Sequence, residues 1–228
     1  KIGIVAAVQT TNLDWSNDSL NNTVAAYWSS ATVTDVGWIA ITTAGKYAPI
    51  DPKNDGISEF KFSYDGKNHS ISNVTANTEN AGLFGSTTTV SSISNLELID
   101  FTITGTSSAG ALAGSLTNCT VNNVLARNSS KDATAVISAP IAGGLVGIVP
   151  NSTAEINKSA AAVPVVGENS AGGLVGTCTG TVTGCYSGGF TDHGEYYEHD
   201  GDNGRKKQSE EYIPIYKVTA SAAGGIAG

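Results

Sequence analysis

Residues 141–147 read IAGGLVG and residues 170–176 read SAGGLVG. Looser copies of the final six positions are NAGLFG, AGALAG and AGGIAG. The five copies end at Gly85, Gly114, Gly147, Gly176 and Gly228, in steps of 29, 33, 29 and 52 residues. A motif that returns at a nearly fixed period of this size is the mark of a stacked-repeat architecture. The last step is one ordinary period plus about 23 further residues.

A second register follows each copy. It is an apolar-x-x-apolar frame, carried by Ile93 and Leu96 (with Leu98), Val121 and Val124, Ile156 and Ser159, and Val182 and Cys185. An earlier stretch, HSISNVTA, supplies Ile71 and Val74 to the same frame. Each unit thus holds short strand-like pieces separated by turns. Alone it cannot bury its apolar face, but stacked units share one continuous core. In parallel coils, equivalent residues lie about 4.8 Å apart. The expectation is an internal column of Leu83, Leu112, Leu145, Leu174 and Ile226. Ile93, Val121, Ile156 and Val182 form a second column, and Leu96, Val124, Ser159 and Cys185 a third. Glycines flanking each leucine permit positive φ or close backbone approach at the corners.

These patterns predict an all-β chain: a right-handed parallel β-helix (solenoid) with an N-terminal cap region and one loop insertion. Residues 1–46 are the cap or first strands, residues 47–228 the repeats, and the insertion falls at about 190–212. A propeller blade of four strands needs about 40–50 residues, and the Trp-Asp signature is lacking. Sandwich, trefoil-like and propeller arrangements are the alternatives.

Composition agrees with strands. The 228 residues include 27 glycines and no methionine, and only 14% are charged. Such a chain, rich in Thr, Ser, Asn, Val and Ile, is unsuited to a helical bundle. The net charge of −8 repels phosphate backbones, which argues against nucleic acid and anionic membrane surfaces as partners. The apolar run Ile2–Val8 is too short to span a bilayer and reads as a first strand. Cys178 and Cys185 are spaced like neither a zinc site nor a redox motif. They read as small buried side chains or a disulfide, and Cys119 as buried. The absent initiator methionine, and the final position inside a repeat copy, suggest a piece of a longer protein.

The motif residues resemble the GLUG repeat of bacterial surface proteins. The match runs over Gly172–Gly176 and then Cys185, Tyr186, Ser187 and Gly189. Upstream, Tyr47-Ala48-Pro49-Ile50 and the run Phe60–Val74 follow the family's pattern, with Tyr47 for Trp and with Phe62 and Asn68 for Gly. The resemblance covers about residues 47–228 and leaves residues 1–46 outside. It implies a secreted or surface-anchored bacterial protein with a parallel β-helix. It also implies adhesin-like roles in gut Bacteroides-type bacteria, or a non-catalytic place within immunoglobulin A1 protease-like proteins.

No catalytic signature is found. His69 with Asp65 is a candidate acid–base pair, though Asp65-Gly66 also reads as a tight turn. The insertion gathers charge. Asp200 and Asp202 have the spacing of a calcium loop, with His199 and His193 as further candidate ligands. Gly204 and Arg205 break that pattern where it needs a ligand and a turn glycine. No cofactor is therefore expected, with calcium, and after it zinc, as the alternatives. Tyr196, Tyr197, Tyr212 and Arg205 are candidate contacts for a protein or glycan of a host or neighbouring cell. Trp15, Trp28 and Trp38 read as closing the exposed end of the core. The functional expectation is a non-enzymatic adhesin-like stalk at the bacterial cell surface or outside the cell. The alternatives are a non-catalytic segment of a large protease and a polysaccharide-acting β-helix enzyme.

Overall fold

The computed structural model describes residues 6–14, 40–42, 46–48, 63–87, 91–130, 133–188, 197–200, 204–207, 218–219 and 222–227. Every regular element among them is a strand. The strands fall on three faces in strict rotation. Face one carries Ser63–Ser72, Ser91–Ile99, Cys119–Arg127, then Glu155–Asn157 with Ala160–Ala162, then Thr181–Thr183 with Tyr186–Ser187. Face two carries Thr75–Ala81, Thr102–Ala109, Ile137–Gly143, Val165–Gly172, Val218–Thr219 and Ala222–Gly224. Face three, the smallest, carries Phe84–Thr87, Ala113–Leu116, Val146–Val149 and Val175–Cys178. All pairing between successive coils is parallel. The chain is a parallel β-solenoid.

The leucine column forms because neighbouring coils exchange main-chain hydrogen bonds at that corner. Leu112 N donates to Leu145 O at 2.8 Å, Leu145 N to Leu174 O at 2.9 Å, and Leu174 N to Ile226 O at 3.2 Å. Leu83, Leu112, Leu145 and Leu174 are fully enclosed. Ile226, the last rung, is 38% exposed. The second column stacks in register as Ile93, Val121, Ile156 and Val182. In the third, Val124 lies on Leu96. Val124 N donates to Ser159 Oγ, and Ser159 N donates to Cys185 Sγ. The third column thus turns polar towards the final coil.

One part of the frame is shifted. Ile71 stacks on Leu98, and Tyr64 takes the rung beside Ile93. Within Ser63–Ser72, residues 66–68 stand opposite Asn95 alone, a bulge between Asp65 and His69. This bulge replaces the simple Asp65-Gly66 turn. Below that rung, Ala6–Val8 pairs with Ser63–Asp65 and Leu13–Asp14 with Ile71–Ser72. Buried Gln9 receives the Tyr64 hydroxyl at 2.8 Å and donates to the carbonyls of Thr11 and Ser70. Trp15, Trp28 and Trp38 lie outside the described residues.

The motif glycines act through close approach rather than positive φ. A Cβ added at Gly147 would sit 2.5 Å from Gly114 O, and one at Gly176 would sit 2.5 Å from Gly147 O. Neither glycine has positive φ. Gly114 is stacked over Gly85 by the flanking register, while Gly228 lies outside the described residues. The serine that opens SAGGLVG closes the motif. Ser170 Oγ donates to Gly176 O at 2.8 Å, and Ser108 Oγ does the same to Gly114 O.

Left-handed backbone is supplied mainly by asparagine. Midway along face one, Asn68, Asn95, Asn123 and Lys158 have φ between 47° and 61°, and Gly184 has 62°. Asn and Gly tolerate this region, whereas other residues are strained there. Asn123 Nδ2 donates to Asn95 Oδ1 at 2.9 Å, and Asn95 Nδ2 to Asp65 Oδ1 at 3.0 Å. Lys158 interrupts this ladder.

Two outcomes are expected in chemical denaturation. Leu145→Ala and Leu174→Ala each lose about 2–5 kcal/mol, the usual cost of truncating an enclosed leucine. Lys158→Asn gains about 0.5–1 kcal/mol, because asparagine is less strained in the left-handed region and extends the ladder. Loss of stability in Lys158→Asn would contradict the ladder's energetic role.

Candidate functional site

The corner between face one and face two is where the chain departs from its period. Three coils cross it in two residues: 73–74, 100–101 and 163–164. Two coils do not. The chain makes one excursion between Arg127 and Ile137 and a longer one between Ser187 and Val218. Asn128 holds the shorter excursion, donating to Ala135 O at 3.2 Å and Ala133 O at 3.5 Å. The longer one leaves the stack intact on both sides. Ser187 still pairs with Ala161 and Val218 with Val165.

Inside the longer excursion lies a two-stranded antiparallel ribbon, Tyr197–Asp200 with Gly204–Lys207. Its register is Tyr197 opposite Lys207, Glu198 opposite Lys206, His199 opposite Arg205 and Asp200 opposite Gly204. Four of the residues singled out in the sequence, Tyr197, His199, Asp200 and Arg205, therefore share one supersecondary unit. His193, Tyr196, Asp202 and Tyr212 lie outside the described residues. Among the described residues, no three His, Cys, Asp or Glu gather as a cation site.

Tyr186 belongs to the repeat pattern, but its side chain is not in the core. It is 55% exposed, two positions before the chain leaves the coil. Strand alternation is the signal that would have found it: Ser187 and Tyr186 sit on opposite sides of a strand. Across the same corner, Val166 of face two is also exposed. An exposed aromatic and an exposed aliphatic therefore flank the root of the excursion.

The candidate acid–base pair is held apart by other partners. Asp65 accepts from Asn95 Nδ2 at 3.0 Å and Lys67 N at 2.9 Å, and meets Lys67 Nζ at 2.9 Å. The hydrogen bond from Asn95, followed by those from Lys67, holds its carboxyl down at about 2. His69 Nδ1 lies 3.2 Å from Asn12 Oδ1. Asp65 thus pins the bulge and the base of the asparagine ladder. Further along the same face, Glu97 is engaged by Arg127 Nε at 2.6 Å. All three cysteines are free. Cys119 is buried, burial pushes the Cys178 thiol up, and Cys185 Sγ lies 3.3 Å from Ile156 O. A raised thiol is mostly protonated and a poor nucleophile.

No helix among the described residues is long and apolar enough to cross a membrane. No family model matches the chain, and no curated protein matches it. Among solved structures, the "putative immunoglobulin A1 protease from Bacteroides ovatus" is similar at 13% identity. That likeness covers 99% of this chain and 79% of that one, with a TM-score of 0.38.

The lowered Asp65 pKa sets a pH window. A carboxylate depressed in the folded state stabilises fully above its unfolded value of about 3.9, and the gain disappears as pH falls through the folded value. Asp65→Asn should therefore be less stable than the parent by a constant margin above about pH 4. Between about pH 4 and pH 2 the margin should close. Urea midpoints measured across that range check this, and a margin unchanged down to pH 2 would refute it.

Proposed function

We propose that this chain is a non-enzymatic module, secreted or carried on a bacterial surface. Its β-solenoid acts as an adhesin-like stalk that presents the 190–212 insertion to a protein or glycan of a host or neighbouring cell. Residues 1–46 serve as the cap of the first coil, a role supported by the bonds of buried Gln9 to Tyr64 and Ser70. The observation that carries the reading is the undisturbed pairing of Ser187 and Val218 on either side of the excursion. A segment that leaves a packed stack without loosening it is displayed by the fold rather than needed for it. Loops held on a rigid scaffold are where proteins place recognition.

The GLUG-like residues Gly172–Gly176 and Cys185–Ser187 support a bacterial surface setting. They also support a second reading, in which the same stalk is a non-catalytic region of a longer immunoglobulin A1 protease-like protein. A polysaccharide-cleaving role is less favoured, because Asp65 and Glu97 on face one are committed to structural partners.

Deleting residues 192–212 tests the reading. The thermal midpoint should shift by less than about 3 °C, since closure entropy depends only slowly on loop length. Retention on immobilised mucin and polysaccharides should be lost. A large fall in midpoint would place the segment in the core, and full retention would assign recognition elsewhere.

A further inference from the structure

Residues 160–166 read AAAVPVV, without a polar side chain. They carry one coil from face one to face two. The corresponding turns at 72–78 and 99–105 read SNVTANT and IDFTITG and hold Asn, Asp and Thr. Pairing register shows which side chains of the apolar turn look outward. Val166 breaks a row that otherwise holds Asn77, Thr104, Ser138 and Thr219. Tyr186 ends the row of Ser70, Glu97, Leu125 and Ala160. Val166 is 43% exposed and Tyr186 55%, while Leu125, Ala160 and Pro164 are half-buried. Among the described residues three large apolar side chains are exposed, and these are two of them. An apolar band therefore wraps the corner between the departures after Arg127 and after Ser187.

The band offers few hydrogen bonds. The carbonyls of Ala161, Ala162 and Pro164 already accept from Gly188 N at 3.1 Å, Asn128 N at 3.4 Å and Ile137 N at 3.0 Å. Pro164 has no N–H to give. Arg127, in the coil below, is engaged by Glu97. Among the described residues, the Tyr186 hydroxyl is the one polar side-chain group on the band. Stripping water from sugar hydroxyls without replacing their hydrogen bonds is unfavourable, whereas an apolar side chain gains from the same contact. Size narrows the occupant further. Three strand spacings by about 20 Å around the corner is roughly 300 Å². A stable protein pair buries about 800 Å² on each partner, so the band is too small to hold a second copy of this chain. It matches one or two side chains of a short segment. We propose that this corner binds a short apolar segment of a partner protein, with Tyr186 and Val166 as its exposed contacts. The site lies outside the displayed insertion and does not depend on it.

The test follows amide NMR shifts of the full chain titrated with three probes. They are the capped peptide Gly-Ser-Leu-Phe-Leu-Ser-Gly, its control Gly-Ser-Thr-Ser-Thr-Ser-Gly, and cellopentaose. The apolar peptide should shift the amides of residues 160–166 and 186–188 with a millimolar or tighter Kd, and the other two should not. The double variant Val166→Thr/Tyr186→Ser should weaken binding by roughly ten-fold or more, as expected for lost apolar contact. Ala160→Glu should weaken it as strongly, at a row that already carries Glu97 two coils below. Thr104→Ala, two coils from Val166 in its row, should stay within about two-fold. Unchanged thermal midpoints would show that each variant keeps its fold. The proposal is overturned if the apolar peptide does not bind, or binds equally to all the variants. It is also overturned if cellopentaose shifts the same amides, or if the parent is a dimer that the double variant dissolves. Loss of peptide binding on deleting residues 192–212 would move the site to the insertion and overturn this proposal while the displayed-loop reading stood. Peptide binding kept by that deletion, with retention on mucin and polysaccharides also kept, would defeat the displayed-loop reading alone.

Discussion

A coil of about 29 residues has too little apolar surface to fold alone, so the chain depends on contact between coils. At the leucine corner, each main-chain N–H reaches the carbonyl of the adjacent coil, and the enclosed leucines of neighbouring coils stack. Direction and register are thereby set together. A slip of one residue along a strand would move every buried side chain to solvent. The glycines belong to the same constraint. Gly147 and Gly176 lie so close to the preceding coil's carbonyl that a methyl group would collide with it. Their absent side chains let the coils approach, and that approach brings the leucine hydrogen bonds within reach.

Where the chain is free to vary follows from where the ladders end. From face two into face three the crossing varies by at most a residue, and in two coils Ser108 and Ser170 tie the approach strand to the last glycine of the motif. The corner from face one to face two is bound differently from coil to coil. A segment can leave there and return with both flanking ladders complete. The excursions after Arg127 and after Ser187 both do so. The shorter one is gathered back by the buried side chain of Asn128. The longer one holds the antiparallel ribbon of Tyr197–Asp200 with Gly204–Lys207. Length is tolerated at this corner because it costs the stack nothing in pairing.

The leucine column was legible in the sequence. It depends on spacing, and spacing survives when residue identities drift. The asparagine ladder was less visible, because its rungs are Asn68, Asn95, Asn123, Lys158 and Gly184 and share a backbone conformation rather than a residue type. Its signal was the Asn or Gly that precedes the third-column residue in most copies. The shift at Ile71 was hidden by coincidence. SISN occurs at residues 70–73 and again at 92–95, yet the bulge at residues 66–68 places the first string beside Glu97–Ile99. Identical strings therefore lie at different heights around the coil. For the candidate site, composition marked the ribbon as charged and aromatic. Only the pairing register could sort those residues into two faces, because a shift by one residue would exchange the partners of every cation.

That sorting matters for recognition by a solenoid. The outward positions on face one are largely Ser, Thr and Asn, stacked in rows such as Ser63 and Ser92, whose hydroxyls bond to one another. Rows of short polar side chains that satisfy each other offer a ligand few unmet donors. Their spacing repeats from coil to coil, so one rung is hardly distinguished from the next. A segment that breaks the repeat escapes both limits. It can hold long cationic and aromatic side chains that would crowd one another in a stacked column about 4.8 Å apart. It can also hold like charges that the parallel ladder would force into rows. The same stacking that makes the shaft regular therefore makes its regular surface a poor place for selective contact. The irregular corner is left as the place where such contact can be built.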